Sequence, residues 1–150
     1  MNASVDVERA PKTITEVLEK RWVMEILAQE KVVEGRKAST LRYQDLKVND
    51  VLHFVTEDMK IQAWCKVTKI NKYMPLEIVD SSTGENETVL HAIETCLRAE
   101  TLPRILPGVG TIEEGVKIYC SPPMSWNNDE VDRCGMLGIQ IELTDTKFKL

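Results

Sequence analysis

The chain has 150 residues, of which 43% are hydrophobic and 29% charged. That length and balance suit one compact domain with a buried core, and argue against a coiled coil, a collagen-like chain or a disordered chain. Its apolar runs are only a few residues long, too short for a membrane-spanning helix, so no membrane partner is expected. The opening MNASVDVERA has no apolar stretch of the kind a secretory signal needs. Four cysteines at 65, 96, 120 and 134 show no CxxC spacing. Reduced thiols in a cytoplasmic or nuclear protein are the expectation.

The net charge of −5 is unevenly spread. From Lys31 to Lys72 nine Lys or Arg face five Asp or Glu, a local +4, whereas residues 73–150 carry −7. Between Lys60 and Lys72 there are four lysines and no acid. Such a stretch suits phosphate, while the acidic remainder argues against indiscriminate binding of polyanions.

In chain order, residues 1–12 lack periodicity and include Pro11, which predicts a flexible arm before a domain at 13–150. Thr13 and Glu16 form a capping-box pattern. Ile14, Val17, Leu18, Trp22, Val23, Ile26 and Leu27 follow at helical spacing, predicting one helix to about Gln29. Val51 to Val55 and Lys60 to Ile70 read as a hairpin, with Trp64, Lys66 and Thr68 on its outer face. Leu76 to Val79 adds a short strand, and Val89 to Leu97 reads as a helix. Leu102 to Leu106 forms one turn, and Thr111 with Glu114 makes a second capping box, although the short stretch to Tyr119 reads equally as a strand. Ser121 to Asp132, with two prolines and two asparagines, reads as a loop. Leu137, Ile139, Ile141 and Leu143 alternate with polar or small neighbours in a closing strand. The class is α+β, with a small mixed β-barrel flanked by helices.

No HExxH, GxSxG, P-loop or GxGxxG pattern is present, and His53 and His91 stand alone. Neither a metal nor a cofactor is expected. The informative stretch is Lys31-Val32-Val33-Glu34-Gly35-Arg36. Lys31, Glu34 and Arg36 converging on one cleft would read the polar edge and phosphate of a nucleotide. The same groups would supply a lysine and a carboxylate for acid/base work, and a surface ion-pair cluster is the plain structural alternative.

The run Gln29-Glu30-Lys31-Val32-Val33-Glu34-Gly35-Arg36 resembles the G-K-K-T-V-E-G-R signature of ASCH domains, which resemble the PUA barrel. Tyr43 to Asp50 resembles the family's Y-x-D-L-K-V-G-D. Leu106-Pro107-Gly108-Val109 with Thr111 to Tyr119, and then Gly135 to Ile139, resemble its later segments in the same order. A second register, starting the signature at Gly35-Arg36-Lys37, shortens the link to Asp45 by six residues, and the first is preferred. Gln29, Glu30 and Val32 depart from the signature's Gly, Lys and Thr.

The resemblance implies a PUA-like fold that binds RNA, single-stranded nucleic acid or a modified nucleotide. It implies Lys31, Glu34, Arg36 and Tyr119 at the site. The basic hairpin would add sequence-blind attraction through Lys66 and Lys69, and Trp126, in an apparent insertion where the family has an aromatic pair, would offer a stacking surface. Small bacterial members of the ASCH family include an amidohydrolase of acetylcytidine that uses a Lys, a Thr and a distal Glu. The Lys falls on Lys31, the Thr on Glu34, and the Glu near Gly108–Gly110, where no carboxylate stands. Were the chain an enzyme, Lys31 and Glu34 would be its catalytic pair. A protein-interaction module using the acidic C-terminal half is the third reading.

Overall fold

The computed structural model describes residues 9–148. The first element corrects the expected long helix. Thr13–Val17 is a strand, β1, and only Lys20–Leu27 is helical, α1. Four of the five residues of β1 are β-branched or β-favouring (Thr, Ile, Thr, Val), and strand β3 (Val51–Val55) gives them a parallel partner. Glu16 therefore closes no capping box. It points inward from β1 and is 6% exposed.

Strands β2 (Val33–Lys37), β4 (Ile61–Tyr73) and β7 (Met136–Phe148) complete a five-stranded sheet in the order β1-β3-β4-β7-β2. All neighbours except β1 and β3 are antiparallel. The expected barrel is not formed, because β1 and β2 remain edge strands at opposite ends of the sheet. Twist and two register shifts in β4, at Trp64/Cys65 and Val67/Lys69, curl the sheet. The curl brings side chains of the two edges together: Arg36 on β2 reaches Glu16 on β1 at 3.3 Å.

The concave face carries Leu52, Phe54, Ala63, Cys65, Val67, Ile139 and Ile141, closed over by Ile26 of α1 and by Tyr43. A second cluster joins Val33 and Met136 to the helices α2 (Ala92–Glu100), α3 (Leu102–Ile105), α4 (Ile112–Cys120) and α5 (Asn128–Cys134). Residues 121–132 are thus not wholly loop, since α5 begins at Asn128 with the Asn127 side chain capping it. The helix expected from Val89 starts only at Ala92, because 86–90 pair as β6 with β5 (Leu76–Val79) in a separate hairpin. Thr111 caps α4 as its pattern predicts, accepting from the Glu114 amide at 3.1 Å.

Buried Glu100 ties α2 to the sheet by accepting from Asn71, Tyr73 and Gln140. Gly138 leaves the room for it, since a Cβ there would lie 2.6 Å from Glu100 Oε2. Of the expected arm, residues 1–8 lie outside the described residues. Arg9 and Lys12 are anchored on Asp50, Arg9 through two bonds of 2.7 Å and Lys12 through its amide at 3.1 Å. All four cysteines are free, and burial pushes the Cys65 thiol up to about 12. Among the described residues no helix is long and apolar enough to cross a membrane.

Candidate functional site

The site begins where α1 ends. The Gln29 amide donates to Ile26 O at 2.9 Å and the Glu30 amide to Glu25 O at 3.0 Å, the paired bonds of a Schellman stop. That motif needs a left-handed residue after the cap, and Gln29 supplies it with φ of +58°. The chain then turns sharply, so that Lys31 enters the interior just before β2.

Lys31, Glu34 and Arg36 are 3%, 5% and 8% exposed and line one cavity of about 60 Å³. Lys31 Nζ donates to Val33 O at 2.8 Å and to Ile105 O at 2.6 Å, the latter an otherwise open carbonyl at the end of α3. It stands 3.3 Å from Glu34 Oε1, and Arg36 Nη2 donates to Glu34 Oε2 at 2.8 Å. Beyond Arg36 the chain of charges continues through Glu16, which accepts from the Tyr43 hydroxyl at 2.7 Å and from Arg42. Three cations therefore face two carboxylates, leaving the cluster one positive charge in excess.

Burial pulls the Lys31 ammonium below its ordinary pKa, against the opposing pull of Glu34. Burial alone would raise the Glu34 carboxyl, but Arg36 and Lys31 together hold it below the usual range. The Tyr43 phenol is pushed well up, by burial first and by the neighbouring carboxylates after that.

Leu18, Trp22, Leu106, Ile118, Tyr119 and Met124 complete the cavity wall. Leu18, Trp22, Ile118 and Met124 also line an outer cleft of about 360 Å³, whose rim carries Arg21 and Lys117. Arg21 lies over the Trp22 ring at 4.3 Å and donates to Pro107 O at 3.2 Å. A wider trough of about 1030 Å³ continues past Val17 and Leu18, but its Glu57, Asp58 and Lys60 are exposed rim residues rather than a charged floor.

Gly35 is required here. A Cβ would meet Met136 Cε at 2.6 Å and the Tyr119 hydroxyl at 2.7 Å. Tyr119 is thereby drawn against β2, and Trp126 stacks behind it with centroids 4.7 Å apart. Trp126 is 8% exposed and packs in the helical core, so it is not the free stacking surface expected of a loop.

The fold gathers Lys31, Glu34, Arg36 and Tyr119 but does not bring Lys66 or Lys69 to them. Both lysines project from the face of β4 opposite Cys65 and Ile70, and Lys66 stands 3.9 Å from Glu142. Glu16, Arg42 and Tyr43 were not foreseen as part of the cluster. A hint was available for Glu16, an acid alternating with Ile14 in a β-branched run. Among the described residues no group of acids, histidines or cysteines is arranged to hold a metal ion.

No protein-family model matches the chain, and a search of curated proteins finds no match. Among solved structures, the chain is similar to the crystal structure of hypothetical protein PH0355. The TM-score is 0.65 at 26% identity, over 89% of this chain and 99% of that one. It is also similar to the solution structure of protein PF0455 from Pyrococcus furiosus, with a TM-score of 0.58 at 24% identity, over 90% of this chain and 97% of that one. The shared feature is the α+β fold over nearly the full length of both neighbours.

Proposed function

We propose that the chain is an ASCH-type domain whose cleft binds a nucleoside or nucleotide, free or at the end of an RNA strand. The observation that carries this reading is the convergence of Lys31, Glu34 and Arg36 on the floor of a cleft walled by Trp22 and Tyr119. Its outer volume of about 360 Å³ lies at the small-ligand end of known sites. The left-handed Gln29 supports the signature register, because it occupies the position where the ASCH pattern has glycine. Polar groups at the floor would fix the base, and Arg21 and Lys117 at the mouth would meet phosphate. The outward lysines of β4 lie off this path, which favours one bound nucleotide unit over a long strand laid on a basic groove.

The enclosure of Lys31 also supports a second reading, hydrolysis of an acylated nucleoside. A carboxylate at Glu34 then stands where the resemblance has a hydroxyl nucleophile, so any activity would run as acid/base rather than covalent catalysis. One experiment tests both readings: calorimetric titration with nucleosides, their 5′-monophosphates and an N-acylated nucleoside, each ligand recovered and weighed by mass spectrometry. Saturable binding that Arg21→Ala and Lys117→Ala weaken for monophosphates but not for nucleosides supports the cleft. A shortened acyl nucleoside in the recovered pool converts the binder into a hydrolase. Absence of binding by every nucleoside and nucleotide overturns the proposal.

A further inference from the structure

Two surfaces far from the cleft are left uncovered, and they are opposite in charge. The first is the β5–β6 hairpin. Every residue from Leu76 to Val89 is exposed, and none of them joins either hydrophobic cluster of the body. Leu76, Ile78, Val79 and Val89 are between 49% and 65% exposed. From Met74 to His91 the chain carries four acids, Glu77, Asp80, Glu85 and Glu87, and no Lys or Arg. None of the four makes an ion pair among the described residues. The register sets Ile78 opposite Glu87, so an aliphatic side chain and a carboxylate share one face, with Leu76 two residues along from Ile78. A two-stranded hairpin with both faces in water is marginally stable, and four exposed aliphatic residues suit a contact arm rather than a solvated turn.

The second surface is the outer face of the sheet around β4, opposite the concave face that α1 closes. His53 and Trp64 stack there with ring centroids 4.3 Å apart, and both stay half-buried, as does Val51. Beside them Lys66 comes no closer than 3.9 Å to Glu142, and Lys69 is exposed with no acid partner among the described residues. This face is aromatic and basic where the hairpin is aliphatic and acidic.

We infer that the two surfaces meet between two copies of this chain, the hairpin of each lying across the β4 face of the other about a twofold axis. Leu76 and Ile78 would cover Trp64, while Glu77 and Glu87 would face Lys66 and Lys69. The chain itself supplies both complementary halves, which is the argument for a second copy over a foreign partner. Their placement suits closure. β5 begins three residues after β4 ends, and Lys69 stands four residues short of that end, about 13 Å along the strand. Arm and receiving face thus lie near one another on each copy, so one rotation engages both contacts at once. Exposed ion pairs contribute little singly, so charge selects which surfaces meet and the aliphatic–aromatic contact holds them.

Sedimentation velocity of the full chain tests this with charge-reversed variants. Glu77→Lys with Glu87→Lys reverses the arm, and Lys66→Glu with Lys69→Glu reverses the face. All four side chains reach solvent, and circular dichroism matching the parent's confirms that each variant is folded. The parent is expected to be dimeric, with each reversed variant dimerising at least about tenfold more weakly. An equimolar mixture of the two variants is expected to restore the dimer, since every hairpin then meets a face of opposite charge. Ile78→Asp is expected to weaken the parent dimer by about tenfold as well, through the lost apolar contact. A parent still monomeric at about 1 mM overturns the proposal. So does a dimer indifferent to both reversals, and so do reversed variants that stay apart when mixed.

Discussion

Glu16 Oε2 lies 3.3 Å from Arg36 Nη1, although the two residues belong to strands at opposite edges of the sheet. Closure that a barrel achieves with backbone hydrogen bonds is made here by one buried ion pair. It is braced by Arg42 and Tyr43 on one side and Glu34 on the other. Removing one member of a buried pair typically costs about 3–5 kcal/mol, because the partner keeps its charge without compensation. Glu16→Ala is therefore expected to lower unfolding free energy by about 3 kcal/mol in urea, with Arg36 still held by Glu34. A loss below about 1 kcal/mol, the range of a surface pair, would mean that the edges are held by something else.

Gln29 adopts φ of +58° at the position of the Schellman stop where glycine is favoured. Relief of left-handed strain outweighs the extra freedom glycine gives the unfolded chain. Gln29→Gly is expected to stabilise by about 0.5–1 kcal/mol, and Gln29→Val to destabilise by at least as much. Calorimetric melting of the two variants checks this, and a lower melting temperature for Gln29→Gly would refute it.

Much of the fold was legible because its signals are local. Ile61 to Val67 and Leu137 to Leu143 alternate, and Thr111 with Glu114 caps α4. Residues 13–29 misled because Ile14, Val17, Leu18 and Trp22 satisfy a helical period. What decides for a strand over 13–17 is the parallel partner at 51–55, 38 residues away in register, which no local period reveals. The site was half legible for the same reason. Lys31, Glu34 and Arg36 are close in sequence, whereas Glu16 reaches them only through the curl of the sheet. Trp126 looked like an exposed loop residue because its stacking partner, Tyr119, sits beyond a Pro-Pro turn.

Acid should weaken the fold. Burial would raise both carboxyls, but Arg36 and Lys31 hold Glu34, and hydrogen bonds from Tyr73, Asn71 and Gln140 hold Glu100, below the ordinary 4.5. A carboxyl whose folded pKa is depressed contributes stability that is complete above its unfolded value and is lost as pH falls through the folded one. Melting temperature should hold from pH 7 to about 5 and decline below 4.5, with a shallower decline for Glu100→Gln. Lys31 acts at the other end. Burial makes its folded ammonium easier to deprotonate than the unfolded one, so its penalty on stability is present below the folded pKa and fades as pH rises towards 10.5. A melting temperature unchanged down to pH 3, or identical slopes for the parent and Glu100→Gln, would remove these carboxylates from the account.

Trp126 provides a way to separate packing from ligand contact. Its ring is 8% exposed and lies behind Tyr119, away from the cavity. Trp126→Ala should cost about 3–5 kcal/mol of stability through the void it leaves. Ligand affinity measured well below the melting transition should change by less than about fivefold, roughly 1 kcal/mol. Full stability with lost affinity would restore the ring to the site.

Gly35 is the reverse case, a residue whose lack of a side chain makes the cavity. Its hypothetical Cβ meets the Tyr119 hydroxyl at 2.7 Å, Met136 Cε at 2.6 Å and Ile105 Cδ1 at 3.2 Å. Met136 is unbranched and flexible and yields readily, whereas the Tyr119 ring is pinned by Trp126 and yields only by swinging toward the cavity. Gly35→Ala is accordingly expected to cost about 1–3 kcal/mol as overpacking while reducing ligand affinity by more than tenfold. The double variant Gly35→Ala with Tyr119→Phe removes the hydroxyl that the new methyl strikes, so it should recover most of the affinity. Affinity that stays low in the double variant would place the conflict at Met136 or Ile105, and Tyr119 would then cease to be the wall that sets the cavity's width.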